Sequence, residues 1–193
     1  MLSVLCYPYS MKKEDIDKNL LRGGEYFILS LWIQSQMTDL IIFKDHPRII
    51  KRFTEQPKKI PKTLRDKRMK YWKNDFGFIK KEFLNKFKNS LTTQGIGDIE
   101  TIYAIRNAIG HSHVSLARNY FLYRPGNRKK LTEFKKAFDI QRPDSDIAKP
   151  IVFKFDFSND EIYLHNFAAI QRMDEIHLKS LAESLGVPHS RIR

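Results

Sequence analysis

Cysteine is nearly missing from this chain: Cys6 stands alone among 193 residues. An intrachain disulfide framework and a multi-cysteine metal site are both excluded. A reducing, cytoplasmic location is the expected one. Long apolar runs are missing as well. No uninterrupted stretch of about 18 apolar residues occurs, so no membrane span is expected. Residues 1–10 have no basic start ahead of an apolar run, so no signal peptide is expected either. No phosphate-cradling loop is present, because Gly95-Ile96-Gly97 lacks the lysine and the spacing of one. There is no internal repeat and no low-complexity tract. Acidic residues are scarce: 22 Asp and Glu face 35 Lys and Arg, for a formal net charge of +13. That excess sets up a field that attracts polyanions; RNA, DNA, anionic membranes and acidic partner proteins all qualify, and charge alone does not choose among them.

What is present reads as a soluble globular chain, 41% hydrophobic and 30% charged. Its length suits one domain with a modest appendage. Residues 12–43 carry apolar side chains at helical spacing through Ile16, Leu20, Phe27, Leu31, Leu40 and Phe43, with Ile28, Trp32 and Ile33 broadening the stripe. Gly23-Gly24 can split off a short first helix, and Pro47 ends the element. Residues 80–91 form a second amphipathic helix on Phe83, Leu84, Phe87 and Leu91. Asp98 can cap a third, which runs to about Leu122 with a bend near Gly110. Residues 128–138 add a basic helical piece. Residues 151–157 alternate as a strand does, and Ser158-Asn159-Asp160 can turn the chain back into residues 161–164 as a hairpin. A tail helix over 167–185 is stopped by Gly186 and Pro188. The expected fold is therefore mainly α: a helical bundle over residues 1–140, with a small C-terminal β-hairpin and a terminal helix over 141–193 packed on the same domain.

Residues 57–73 are basic, with Lys67, Arg68 and Lys70 among many cations, a single acid at Asp66, and Tyr71, Trp72 and Phe76 close behind. Cations beside aromatics suit phosphate neutralisation with base stacking. A solvated helix face whose aromatics point to the core fits the same pattern. Lys129 and Lys130 add a second basic pair.

The informative stretch is Ile102-Tyr103-Ala104-Ile105-Arg106-Asn107-Ala108-Ile109-Gly110-His111. Ile102, Ile105 and Ile109 share a helix stripe with Leu116 and should face the core. Asn107 and His111, four apart, stack on the opposite face. Arg106 and His111 lie about 140° apart around an ideal helix, so they converge only through the arginine's reach, a bend at Gly110 or a second copy of the motif. His113 lies near the core stripe and reads as structural. The residue types suit RNA cleavage by the RNA's own 2′-hydroxyl. Histidine moves a proton near neutral pH, arginine grips phosphate oxygens and offsets the extra charge, and an asparagine amide orients either one.

An arginine, a polar residue directly after it and a histidine four to six residues beyond resembles the signature of HEPN domains. Arg172 to His177 repeats the spacing but has Met173 in the second place, and is set aside. The resemblance covers residues 98–122 and, loosely, the helices before them. It implies catalytic roles for Arg106, Asn107 and His111 in a metal-independent endoribonuclease that leaves a 2′,3′-cyclic phosphate and needs no cofactor. It also implies a homodimer in which two motifs line one composite cleft, and a setting as a toxin with an antitoxin partner or as an antiviral-defence effector. Some HEPN domains are instead non-catalytic RNA-binding or docking modules. A metal site on His111 and His113 is disfavoured, since histidines two apart point to different helix faces and no carboxylate cluster joins them. No basic recognition helix of a helix-turn-helix is evident.

Overall fold

The computed structural model describes residues 11–56, 59–115, 120–137, 151–154 and 156–193. Five helices come first: α1 (Lys13–Asp45), α2 (Arg48–Glu55), α3 (Lys62–Tyr71), α4 (Phe76–Phe87) and α5 (Thr93–His111). Strands β1 (His113–Ser115) and β2 (Tyr120–Tyr123) follow, then α6 (Arg128–Ala137) and β3 (Ile151–Lys154). The chain closes with α7 (Asp160–Arg172), which continues through a π-helical turn (Met173–Leu178) into α8 (Lys179–Ser184). The mainly α bundle expected from periodicity is the architecture found.

Helix α1 is the hub, packing on α2, α3, α4, α5 and α7. Glu14 and Asp15 at its start and Lys44 at its end complement the helix dipole. Gly23-Gly24 does not split it. Each glycine costs about 1 kcal/mol against alanine in a helix, and tertiary bonds offset that cost. The Phe157 amide donates to Asn19 Oδ1 (2.8 Å), while Arg22 donates to the Phe157 carbonyl (2.9 Å) and pairs with Asp160 (2.7 Å). The buried face is Tyr26, Ile33, Met37, Leu40 and Phe43, each contributing roughly 1.5–3 kcal/mol by burial. This corrects the stripe read from the sequence, because Leu20, Ile28 and Leu31 are exposed. Apolar residues cover more of α1 than one stripe, so spacing alone does not select the buried face. The helices packed on it do. By length and composition α1 could cross a bilayer, yet 61% of its most apolar window is buried inside the bundle.

Helix α5 starts earlier and stops earlier than its sequence implies. Thr92, not Asp98, caps it: the Gly95 amide donates to Thr92 Oγ (3.1 Å). Its end is His111, because Ser112 turns extended (φ −95°, ψ 152°) and β1 pairs antiparallel with β2, His113 opposite Leu122 and Ser115 opposite Tyr120. A β-branched residue at 114 and the run Tyr120-Phe121-Leu122-Tyr123 favour strand over helix. Leu116, placed above on the helical stripe, lies outside the described residues.

The expected C-terminal hairpin is also corrected. Its first strand exists as β3, but β3 pairs with β2, Tyr120 opposite Lys154 and Tyr123 opposite Ile151, giving the sheet order β1-β2-β3. Residues 161–164 are the first turn of α7. Asn159 Oδ1 accepts from the amides of Glu161 and Ile162 (3.0 and 3.2 Å). The triplet Ser158-Asn159-Asp160 serves a helix cap as readily as a turn, and Asp160 and Glu161 suit a helix N-terminus. At the far end Gly186 takes φ 74° and the Val187 amide reaches back to the Ala182 carbonyl (2.9 Å), closing α8 with a Schellman turn. A single core cluster runs from Tyr26 through Ile105 and Phe157 to Ile192, across the expected boundary at residue 140.

Candidate active site

The last turns of α5 carry Arg106, Asn107 and His111. Buried Ile102, Ile105 and Ala108 hold this stretch against the core. Arg106 leaves on the side of α1 and α4. Its guanidinium sits 5.6 Å from the Phe27 ring centre and 6.0 Å from that of Phe76. Two such contacts attract a cation by roughly 0.5–2 kcal/mol each. Arg106 Nη1 donates to Asn107 Oδ1 (3.1 Å), and its Nε is buried with no hydrogen-bond partner. No carboxylate pairs with Arg106 among the described residues.

Asn107 leaves on the other side, into a small half-open cleft of about 10 Å³ lined by Tyr103, Tyr123, Lys130, Glu133 and Phe134. It hydrogen-bonds Tyr103, so the asparagine links that hydroxyl to the arginine. Burial pushes the Tyr103 hydroxyl above its ordinary value and Glu133 adds to the rise, while Asn107 opposes it. Tyr103 meets Phe76 edge-on at 5.7 Å, and Lys80 lies 4.1 Å over its ring. Lys80 is 8% exposed, bonds Glu100 at 2.6 Å and approaches Glu133 at 3.9 Å. The wall behind Asn107 is therefore fixed by an edge-on ring pair and an ion-pair cluster. Tyr103 was not among the residues singled out from the sequence. Its position four before Asn107 was the signal.

His111 is the final residue of α5 and is exposed. No hydrogen bond or ion pair joins it to Arg106 among the described residues. Within one chain the motif is thus split, the arginine toward α1 and α4 and the histidine toward solvent. His113, read from the sequence as a structural residue near the core, is exposed on β1. Among the described residues no three metal-ligating side chains come together. Of the cations expected to hold RNA, only Lys130 lines the Asn107 cleft among the described residues, on the first turn of α6, which Asn127 caps through the Lys130 amide (2.9 Å). Lys129 is exposed on the same turn. Lys70 is exposed and Lys67 half-buried on α3. Arg68 is not free for phosphate, because it makes a two-bond ion pair with Asp39, which is 1% exposed.

The second Arg-x4-His match has a different fate. Arg172 Nε and Nη2 donate to the two oxygens of Asp98 at 3.0 and 2.6 Å, and Asp98 is 2% exposed. His177 is buried against Gly95, its Nε2 3.8 Å from Asp98. This pair joins α7 and the π turn to α5. One arginine of the two matches is consumed by a carboxylate, and the other, among the described residues, is not.

Comparison with known proteins returned no matching family model, no matching curated protein and no matching solved structure.

Proposed function

We propose that this protein is a metal-independent endoribonuclease of HEPN type, with Arg106, Asn107 and His111 at its catalytic centre. The observation that carries the reading is the Arg106 guanidinium. It lies near two aromatic rings, is hydrogen-bonded to an asparagine that lines a cleft, and is paired with no acid among the described residues. A guanidinium that no carboxylate neutralises is available to a phosphate. His111, exposed one helical turn beyond Asn107, is free to exchange protons with a substrate.

In the proposed reaction the 2′-oxygen of one ribose bonds to the adjacent phosphorus, and the bond from phosphorus to the 5′-oxygen breaks. A base removes the 2′ proton, an acid returns one to the leaving oxygen, and arginine stabilises the charge gathered on the phosphorane. The products are a 2′,3′-cyclic phosphate and a 5′-hydroxyl. Two histidines serve this scheme better than one, and a homodimer supplies the second. Leu21, Gly24 and Ile28 are exposed along α1 at three- and four-residue steps, beside Phe27, whose ring touches Arg106 and lies 3.4 Å from a Cβ placed on Gly110. This bare stripe is where a second copy would bring its motif close. A cytoplasmic toxin or antiviral-defence effector, with or without an antitoxin partner, is the cellular role that goes with such an activity.

The test is incubation with RNA in EDTA beside an Arg106→Ala/His111→Ala variant. Cleavage with cyclic-phosphate ends by the parent alone is the expected result. Equal cleavage by both proteins means another site or a contaminant. RNA binding without cleavage by the parent would leave a binding module in place of an enzyme.

A further inference from the structure

A second concavity, of about 170 Å³, opens between α1 and the C-terminal end of α3. It is smaller than the roughly 300–1,000 Å³ of drug-sized ligand sites, which limits an occupant to one small group. Leu31 and Gln34 of α1 line one side, Tyr71 and Trp72 the other, and the Asp39–Arg68 ion pair is part of its wall. Three features mark it as more than a packing gap. Trp72 is 73% exposed and Leu31 39%, so a flat apolar surface faces water. Gln34 Oε1 is buried without a hydrogen-bond partner, although buried amide oxygens are normally satisfied. Exposed Lys70 and Lys73 flank Tyr71 and Trp72 in the chain.

We infer that this pocket is a subsite for one unpaired base of single-stranded RNA, stacked on Trp72 with its edge on Gln34 and its backbone against Lys70 and Lys73. A base supplies the flat ring that an exposed tryptophan stacks on and the N–H edge that an amide oxygen accepts from. Charge selects a polyanion over a second copy of the chain, since two copies would bring like-charged α3 segments together in a protein of net charge +13. The pocket is also placed for the proposed cleavage site. Leu31 is four residues beyond Phe27, about one turn or 6 Å along α1, and Phe27 touches Arg106. In this inference a strand with its phosphate at Arg106 lays a neighbouring base over Trp72. This inference rests on the ribonuclease reading for the position of that phosphate, but base binding is measured independently of cleavage.

The experiment uses the full chain carrying Trp32→Phe, which leaves Trp72 as the one tryptophan. It is titrated with a 2′-O-methyl hexanucleotide, which has no 2′-hydroxyl to attack, and with an abasic strand of the same length. The base-bearing strand should quench Trp72 saturably and the abasic strand should not. Measured by anisotropy of a labelled strand, Trp72→Ala should weaken binding about tenfold, with Trp72→Phe keeping most of the affinity. Gln34→Leu should flatten the differences among homopolymers. Equal binding by the Trp72→Ala variant and its parent overturns the inference, as does equal quenching by the abasic strand. So does a Trp72 signal that follows protein concentration and ignores RNA, which assigns the pocket to a second copy. A protein that binds through Trp72 and never cleaves removes the nuclease reading alone; one that cleaves with Trp72 irrelevant to binding removes the pocket alone.

Discussion

Replacing each of the two motif arginines with alanine should separate folding from chemistry. In Arg172→Ala, Asp98 stays 2% exposed and loses its two-bond partner, keeping among the described residues the Gln94 amide at 3.0 Å and His177 at 3.8 Å. Removing one member of a buried pair costs about 3–5 kcal/mol. Arg172 itself is 38% exposed, so water screens part of the pair and the lower figure, about 3 kcal/mol, applies. For a chain of this length that is a fall in Tm of about 6–12 °C. Cleavage per folded molecule, measured well below the transition, should be unchanged. Arg106→Ala breaks two ring contacts and one hydrogen bond, about 1.5–5 kcal/mol, and should lower cleavage per folded molecule at least a hundredfold, the order of an electrostatic or acid–base contribution. Adding Asp98→Asn to Arg172→Ala removes the stranded charge and should restore much of the lost stability. If Arg172→Ala folds and cannot cleave, or Arg106→Ala cleaves as well as the parent, the argument that an unpaired guanidinium marks the site is wrong.

Gly95→Ala puts a methyl 2.9 Å from the His177 ring. The clash should outweigh the helical gain of alanine, with a net loss of about 1–2 kcal/mol in urea unfolding; a stabilised variant would show that the ring moves freely. Burial pushes the Asp39 carboxyl above its ordinary value despite the opposing Arg68 guanidinium. A raised folded value means that its contribution is fully present below about pH 4, the unfolded value, and is lost as pH rises through the folded one. Asp39→Asn should therefore gain stability relative to the parent as pH climbs from about 4, and parallel pH–stability curves would refute this. Ile28→Asp, on the exposed stripe of α1, should give a monomeric mass by light scattering at micromolar concentration and a parallel loss of cleavage. A dimer that survives it has its interface elsewhere.

Several elements were legible without coordinates because their signals are local. The helical spacing of α4, the basic α6 and the glycine stop after α8 all depend on neighbours a few residues away, and all three were read from the sequence. The motif on α5 was visible as well, since it needs only residue types and spacing. Asn159 shows where local reading fails. It is equally good as a hairpin turn and as a helix cap, and only the pairing of β3 with β2 left residues 161–164 to become helix.

What the chain determined by itself was a helical, strongly basic protein with Arg106, Asn107 and His111 grouped on one helix. Those properties follow from composition and short-range periodicity. Which face of α1 is buried, where α5 stops, and which of two equally spaced arginines is neutralised were decided by tertiary structure. Each depends on a partner far along the chain: α4 and α5 against α1, β2 beside β1, and Asp98 beneath Arg172, seventy-four residues away. Burial and charge pairing are set by three-dimensional neighbours, and no window along the sequence contains them.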